Sequence, residues 1–306
     1  MAIFNTLAMG RTFEPFKMLD CFAHRKSEQS EQSSALPVGD HAGDTASGAD
    51  APFFAGVIGA KGGVGASTLA FNLAAALHEI LPDVTLVDAD VQQPALSVLS
   101  AHEPNYTISD LLARSSNIEP NVFEACTYKI EGLKHSPRLL SPPSGGDGAF
   151  MFSLSRMPQL LNEIKALSAV WLVDLPKEID KHLVELLDIC SEIVLVIEPN
   201  LVSVASARRW LNNFEDLGYQ PDNVLIVVNR SGGKLKEVES QLSRNFVRWT
   251  LVDIPNAYEE LQHCCVIGKP LVCQRPNHPY TKAVKALAQS LKERMKSRSM
   301  EPLVEA

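Results

Sequence analysis

The stretch from Gly59 to Phe71, GAKGGVGASTLAF, gathers residue types that can hold a phosphate. Gly62, Gly63 and Gly65 let backbone N–H groups come close to an anion and wrap it. Ser67 is placed to ligate a magnesium ion, with Thr68 beside it. The residues that follow are rich in Ala and Leu and predict a helix, whose positive end would face the phosphates. The residues before, FFAGVIG, predict an apolar strand, so the loop has the strand–loop–helix setting such a site requires. One position breaks the pattern. Ala66 stands where a loop of this kind carries the lysine that grips phosphate, and the loop's cation is instead Lys61, near its start.

Acids at other strand ends support the same chemistry. LVDAD puts Asp88 and Asp90 at the end of a second apolar run, and LVDLP puts Asp174 at the end of another. A single aspartate there is explained by capping of the next turn. Three acids at two strand ends, beside a glycine-rich loop, favour a hydrated magnesium ion, which takes oxygen ligands and retains waters.

These residues must be positioned by a sheet. AVWLVDLP, EIVLVIEP and NVLIVVNR are short runs of Val, Ile and Leu without alternation, the pattern of strands buried on both faces. SRMPQLLNEIKAL, KHLVELLDI and VASARRWLNNFEDLG between them predict helices, the last stopped at Gly218. Strands alternating with helices predict an α/β fold: a doubly wound, mostly parallel sheet flanked by helices, with ligands at the carboxyl ends of the strands. The domain is expected over 53–297, with a flexible tail over 298–306. Residues 27–52 are Ser-, Gly-, Asp- and Gln-rich and predict a disordered linker. Residues 1–26 form a short segment with Phe4, Phe13, Phe16 and Phe22 beside basic residues, readable as a docking piece or a loose extension.

Bulk properties narrow the function classes. The net charge of −8 argues against a protein that coats nucleic acid, where phosphate neutralisation dominates. No apolar run reaches the ~18 residues of a membrane span, and no signal peptide is read. The six cysteines form no C-x-x-C pair, which fits a reduced, cytoplasmic setting. His263, Cys264, Cys265 and Cys273 match no zinc spacing.

KGGVGAST, followed by LVDAD and LVDLP, resembles the deviant Walker-type P-loop ATPases of the MinD/ParA superfamily. Within it, the segments over 107–143 and 173–212 are similar to CpaE/TadZ proteins of pilus assembly. The resemblance implies ATP or ADP with Mg²⁺ as ligands, and a homodimer with ATP at its interface. Lys61 would reach across that interface. Gly62, Gly63, Val64, Gly65, Ala66, Ser67 and Thr68 would line the phosphates, with Ser67, Asp88 and Asp174 near the metal. Asp90 would position the attacking water, and Asn229, Pro255 and Asn256 would lie near the adenine. The expected role is a dimeric scaffold or switch for a Flp/Tad-type pilus or related secretion machine, at a cell pole or the inner membrane face. Membrane association would be peripheral and made through partners.

The match departs from the family at Ala66, which predicts slow ATP hydrolysis. It departs again at residues 1–52, too few for the receiver-like domain usual in CpaE/TadZ proteins. MKSRSMEPLVEA is not an amphipathic membrane anchor. A ParA-like partition ATPase, a MinD-like site regulator and a protein-binding pseudo-enzyme are the alternatives. Acidic charge and the missing lysine count against DNA as a partner.

Overall fold

The computed structural model describes residues 52–114, 118–133, 135–143, 154–232 and 236–299. The segment 1–26, nearly all of the linker at 27–52 and residues 300–306 of the expected tail lie outside the described residues.

Seven strands form one sheet: β1 (Phe53–Gly59), β2 (Val84–Asp88), β3 (Arg138–Leu140), β4 (Val170–Asp174), β5 (Glu192–Ile197), β6 (Val224–Ser231) and β7 (Thr250–Pro255). Their spatial order is β3-β2-β4-β1-β5-β6-β7, and every pairing in it is parallel. The expected doubly wound α/β fold is therefore present. β1 lies at its centre, between β4 and β5, where the chain reverses the direction in which it adds strands. Ligands of open α/β sheets sit outside the carboxyl ends of the strands at such a point.

The unalternating apolar runs are explained by the two faces of the sheet. In β1, Phe54 and Ile58 enter one core while Phe53, Ala55 and Val57 enter the other. The first core is closed by α5 (Met157–Ile164), α6 (Lys181–Ile189) and α7 (Leu201–Asp216). The second is closed by α1 (Ala66–Ile80), α10 (Leu271–Gln274) and α11 (Pro279–Ser299). Short helices α2 (Leu96–Leu99), α3 (Ile108–Leu112) and α4 (Pro120–Cys126) lead to β3, and α8 (Lys236–Asn245) and α9 (Tyr258–Val266) flank β7. Asn200 caps α7 by accepting from Ser203 N at 2.9 Å, and Gly218, at φ 91°, supplies the left-handed turn just past its end.

β7 was not among the apolar runs read from the sequence. It lies at the sheet edge, and Thr250, Leu251 and Asp253 are exposed, so no continuous apolar run marks it. In the last helix Val284, Leu287, Ala288 and Leu291, at helical spacing, are buried. It runs to Ser299, past residue 297.

The far end of α11 is tied to the amino end of β5. Glu192 is 0% exposed, and Arg298 Nη2 and Arg294 Nη1 donate to its Oε1 at 2.9 and 3.3 Å. A buried charge deprived of its partners costs far more than the intact pair returns. Arg294→Met with Arg298→Met is expected to lower unfolding free energy in urea by about 3 kcal/mol. Adding Glu192→Met should recover most of that loss; no recovery would show that the arginines act through packing instead.

Candidate functional site

The loop at 60–65 joins β1 to α1 and is fixed at both ends. Ala60 N donates to Val196 O of β5 at 2.9 Å, and Trp210 Nε1 of α7 donates to Ala60 O at 3.2 Å. Gly63 and Gly65 have φ of 82° and 87°, a region L side chains rarely adopt. A Cβ at Gly62 or Gly63 would meet open space, whereas one at Gly65 would meet Asn229 Nδ2 at 2.6 Å. That amide donates to Val64 O at 2.8 Å, so β6 clamps the loop through Asn229. α1 starts at Ala66 with no side-chain cap and no acid in its first turn. Its N-terminal N–H groups and positive dipole end are thereby left for an external anion. Ala66 itself is buried in the core beneath the loop and brings no charge. The Thr68 carbonyl accepts from Asn72 Nδ2 at 2.9 Å, and Asn72 Oδ1 accepts from Val272 N at 3.2 Å, locking the helix to α10.

On the β4 side of the loop the register sets two acids face to face. Asp88 and Asp174 are direct partners across β2 and β4, 0% and 2% exposed. Asp88 Oδ2 accepts from Ala95 N at 2.7 Å and Leu96 N at 3.0 Å, and its Oδ1 accepts from Asp90 N at 3.1 Å. Burial nevertheless pushes its carboxyl up to about 7, helped by the Asp90 charge and opposed by those N–H groups. Asp174 lies well above the usual carboxylate range, through burial first and the Asp88 charge second; the Ser67 hydroxyl opposes this by hydrogen bonding. Its Oδ2 is buried and has no hydrogen-bond partner. Asp90 is held by Lys177, whose Nζ lies 3.8 Å from Asp90 Oδ2.

On the β5 side lies a second cluster. Lys61 Nζ donates to Glu198 Oε2 at 2.9 Å, Asn200 Nδ2 donates to the same oxygen at 3.0 Å, and Arg230 pairs with Oε1. Burial acts to raise the Glu198 carboxyl, but Lys61, Arg230 and Asn200 outweigh it and hold it below the usual range. Arg230 has φ 56°, at a register shift between Val228 and Ser231 on β6. That bulge re-aims two successive side chains, Asn229 toward the loop and Arg230 toward Glu198. Arg230 also lies over the Tyr258 ring, 5.6 Å from its centroid. Pro255 pairs with Ser231, and Asn256 N donates to Ser231 O at 3.0 Å. Asn229, Pro255 and Asn256 thus converge at the ends of β6 and β7.

Of the sequence-derived residues, the structure sets Asn229 against the loop, pairs Asp88 with Asp174 across β2 and β4, and joins Pro255 and Asn256 to Ser231 at the end of β6. Glu198, Arg230, Lys177 and Trp210 were missed. Glu198 carried the same signal as Asp88 and Asp174, an acid just past an apolar strand, in EIVLVIEP. Arg230 and Lys177 follow noted motifs, VVNR and LVDLP, but only the folded chain shows their partners.

The chain is similar to an uncharacterized ATP-binding protein of Methanocaldococcus jannaschii, 23% identical over 233 residues, covering 76% of this chain and 84% of the relative. Its fold is similar to that of a ParA family ATPase from Chlorobium tepidum, with TM-score 0.68 and 21% identity, covering 79% of this chain and 99% of the other. It is also similar to a septum site-determining protein MinD of Pyrococcus horikoshii, solved as a complex with Mg-ADP, at TM-score 0.63 and 20% identity, covering 82% and 99%. These two likenesses concern the fold. The CobQ/CobB/MinD/ParA nucleotide-binding domain matches residues 56–253, well over half of the chain, and the chain belongs to that family.

Proposed function

We propose that this chain is a nucleotide-dependent assembly switch that binds ATP or ADP with magnesium at 61–68, pairs with a second copy and turns ATP over slowly. The observation that carries this reading is Ala66 within a loop whose other parts are arranged for phosphate. Gly63 and Gly65 hold the left-handed turns, α1 starts uncapped, and Asp174 keeps a buried oxygen without a partner. Ser67, Asp88 and Asp174 suit a magnesium ion, which when bound would neutralise charge on the phosphates. Asp90 is the residue that would orient the attacking water. Asn229, Pro255 and Asn256 would border the adenine.

What the loop lacks is a cation at position 66. A hydrogen bond to a charged group contributes about 1.5–3 kcal/mol, so its loss weakens ground-state binding by roughly 10- to 100-fold. Phosphoryl transfer depends on positioned charge and suffers more. Lys61 would supply charge across a dimer interface. To do so it exchanges its ion pair with Glu198 for a phosphate on the partner.

The finer reading is a CpaE/TadZ-type role in localising or assembling a pilus or related secretion machine, in the cytoplasm at a pole or the inner membrane face. It is supported by the sequence resemblance over 107–143 and 173–212. Among the described residues no helix is long and apolar enough to cross a membrane, which fits contact made through partner proteins. A partition or division-site role is the second reading, favoured by the ParA and MinD relatives. A salt-sensitive DNA shift requiring ATP would select it.

The wild type is expected to bind ATP and hydrolyse it slowly, and Ala66→Lys to bind roughly 10- to 100-fold tighter with faster turnover. Fast wild-type hydrolysis, or no binding at millimolar ATP, would overturn the reading. The acids make a separate prediction. Both lie above the unfolded value of about 3.9, so their contribution to stability is full below about pH 4 and is lost as pH rises through their folded-state values, about 7 for Asp88. In EDTA, Asp174→Asn should stabilise the fold on the order of 1–2 kcal/mol at pH 8 and very little at pH 4.5. An equal change at both pH values would show that ionisation is not the cause.

A further inference from the structure

We propose that Lys177 is the phosphate-binding cation this site uses in place of the one absent at position 66, supplied by the same chain from the turn after β4. The inference rests on the nucleotide-binding reading above. Cations near the loop divide into two groups. Lys61 and Arg230 share the single Glu198 carboxylate on the β5 side. Lys177 lies on the β4 side, beside Asp90 and within electrostatic reach of Asp174.

Its bonding sets Lys177 apart. Lys61 is within hydrogen-bond distance of its acid at 2.9 Å, whereas Lys177 Nζ is 3.8 Å from Asp90 Oδ2. That distance leaves the Coulomb attraction but no hydrogen bond, so the ammonium's donors are not committed to Asp90. Its side chain is 34% exposed and lines a cleft of about 120 Å³ with Asp90, Gln93, Pro176, Asp180 and His182.

The root of the side chain is fixed. Leu175 N donates to Val57 O of β1 at 2.9 Å, and Pro176 restricts the backbone immediately before Lys177. Beyond that root, a lysine carries its charge on a flexible four-carbon stem. Asp90 N donates to Asp88 Oδ1 at 3.1 Å, and Asp88 is the cross-strand partner of Asp174 on β4, the strand beside β1 that leads into the loop. Lys177 is therefore tied through Asp90 to the acids on the β4 side of the loop. In this proposal rotation about the flexible stem exchanges Asp90 for a phosphate oxygen without moving the sheet. Because Lys177 lies on the side of the acids, away from the amides of β6 and β7, it serves the terminal phosphates. It thus favours ATP over ADP.

The test is equilibrium binding of ATP and ADP, each with magnesium, to the full chain. Lys177→Met should weaken ATP about 10- to 100-fold and ADP less. Lys177→Arg should retain most of the affinity, showing that charge and not the fold was lost. Ala66→Lys should restore ATP binding in the Lys177→Met background. Lys181→Met, an exposed lysine paired with Glu185 at 3.5 Å, should change nothing. If Lys177→Met binds ATP as tightly as the wild type or tighter, Lys177 only balances the acids and the inference falls. If neither the wild type nor Ala66→Lys binds nucleotide, the nucleotide reading itself fails first and takes the inference with it.

Discussion

The register of β2 against β4 places Asp88 directly opposite Asp174 in a setting almost closed to water. Neighbouring strands are about 4.8 Å apart, and two charges at that spacing repel by about 3 kcal/mol at an effective dielectric near 20. Backbone N–H groups compensate Asp88, but Asp174 has a buried oxygen with no hydrogen-bond partner among the described residues. A fold tolerates such a pair only where its other contacts are strong. Here they are: both strands are buried along their whole length and feed two cores on opposite faces. The site's electrostatic strain and the sheet's apolar character belong together, because the second offsets the first.

The other side of the loop solves a different problem. A glycine-rich turn loses more conformational freedom on ordering than any other segment of its length. Three hydrogen bonds from outside the loop limit that freedom: Ala60 N to Val196 O, Trp210 Nε1 to Ala60 O, and Asn229 Nδ2 to Val64 O. The third depends on the bulge in β6, which also sends Arg230 to Glu198. One irregularity in one strand therefore orders the loop and sets the partner of the cation that neighbours Lys61. Ordering done by the protein's own groups is ordering that a ligand need not supply.

Much of this was legible in the sequence, for reasons visible in particular elements. β1, β4, β5 and β6 announced themselves because burial on both faces forces unbroken Val, Ile and Leu. The acids and the glycines could be placed because strand ends and strand–loop–helix junctions are local. β7 could not, since an edge strand with exposed Thr250, Leu251 and Asp253 has no such run. Glu198 stood past an apolar strand like the other acids, but its pairing with Lys61, 137 residues away, and that of Lys177 with Asp90 are encoded in no local pattern.

Ala66 now reads as part of a division of labour. A lysine at that position would give each copy a full set of phosphate contacts, and assembly would add little to affinity. With alanine there, the proposed charge comes from two directions, Lys177 of the same chain and Lys61 across the proposed interface. In the proposed dimer Lys61 would give up its half-buried pair with Glu198, so its contact with phosphate would contribute only the difference between the two interactions. That difference is smaller than an unopposed charged hydrogen bond, and across a dimer interface it is realised only when two copies meet. Linkage then requires that nucleotide strengthen pairing by the same factor by which pairing strengthens nucleotide binding. On that proposal, slow turnover would follow from the same substitution and would prolong the paired state. On the proposed reading, an alanine at this position would couple nucleotide to assembly while weakening the chemistry that ends it.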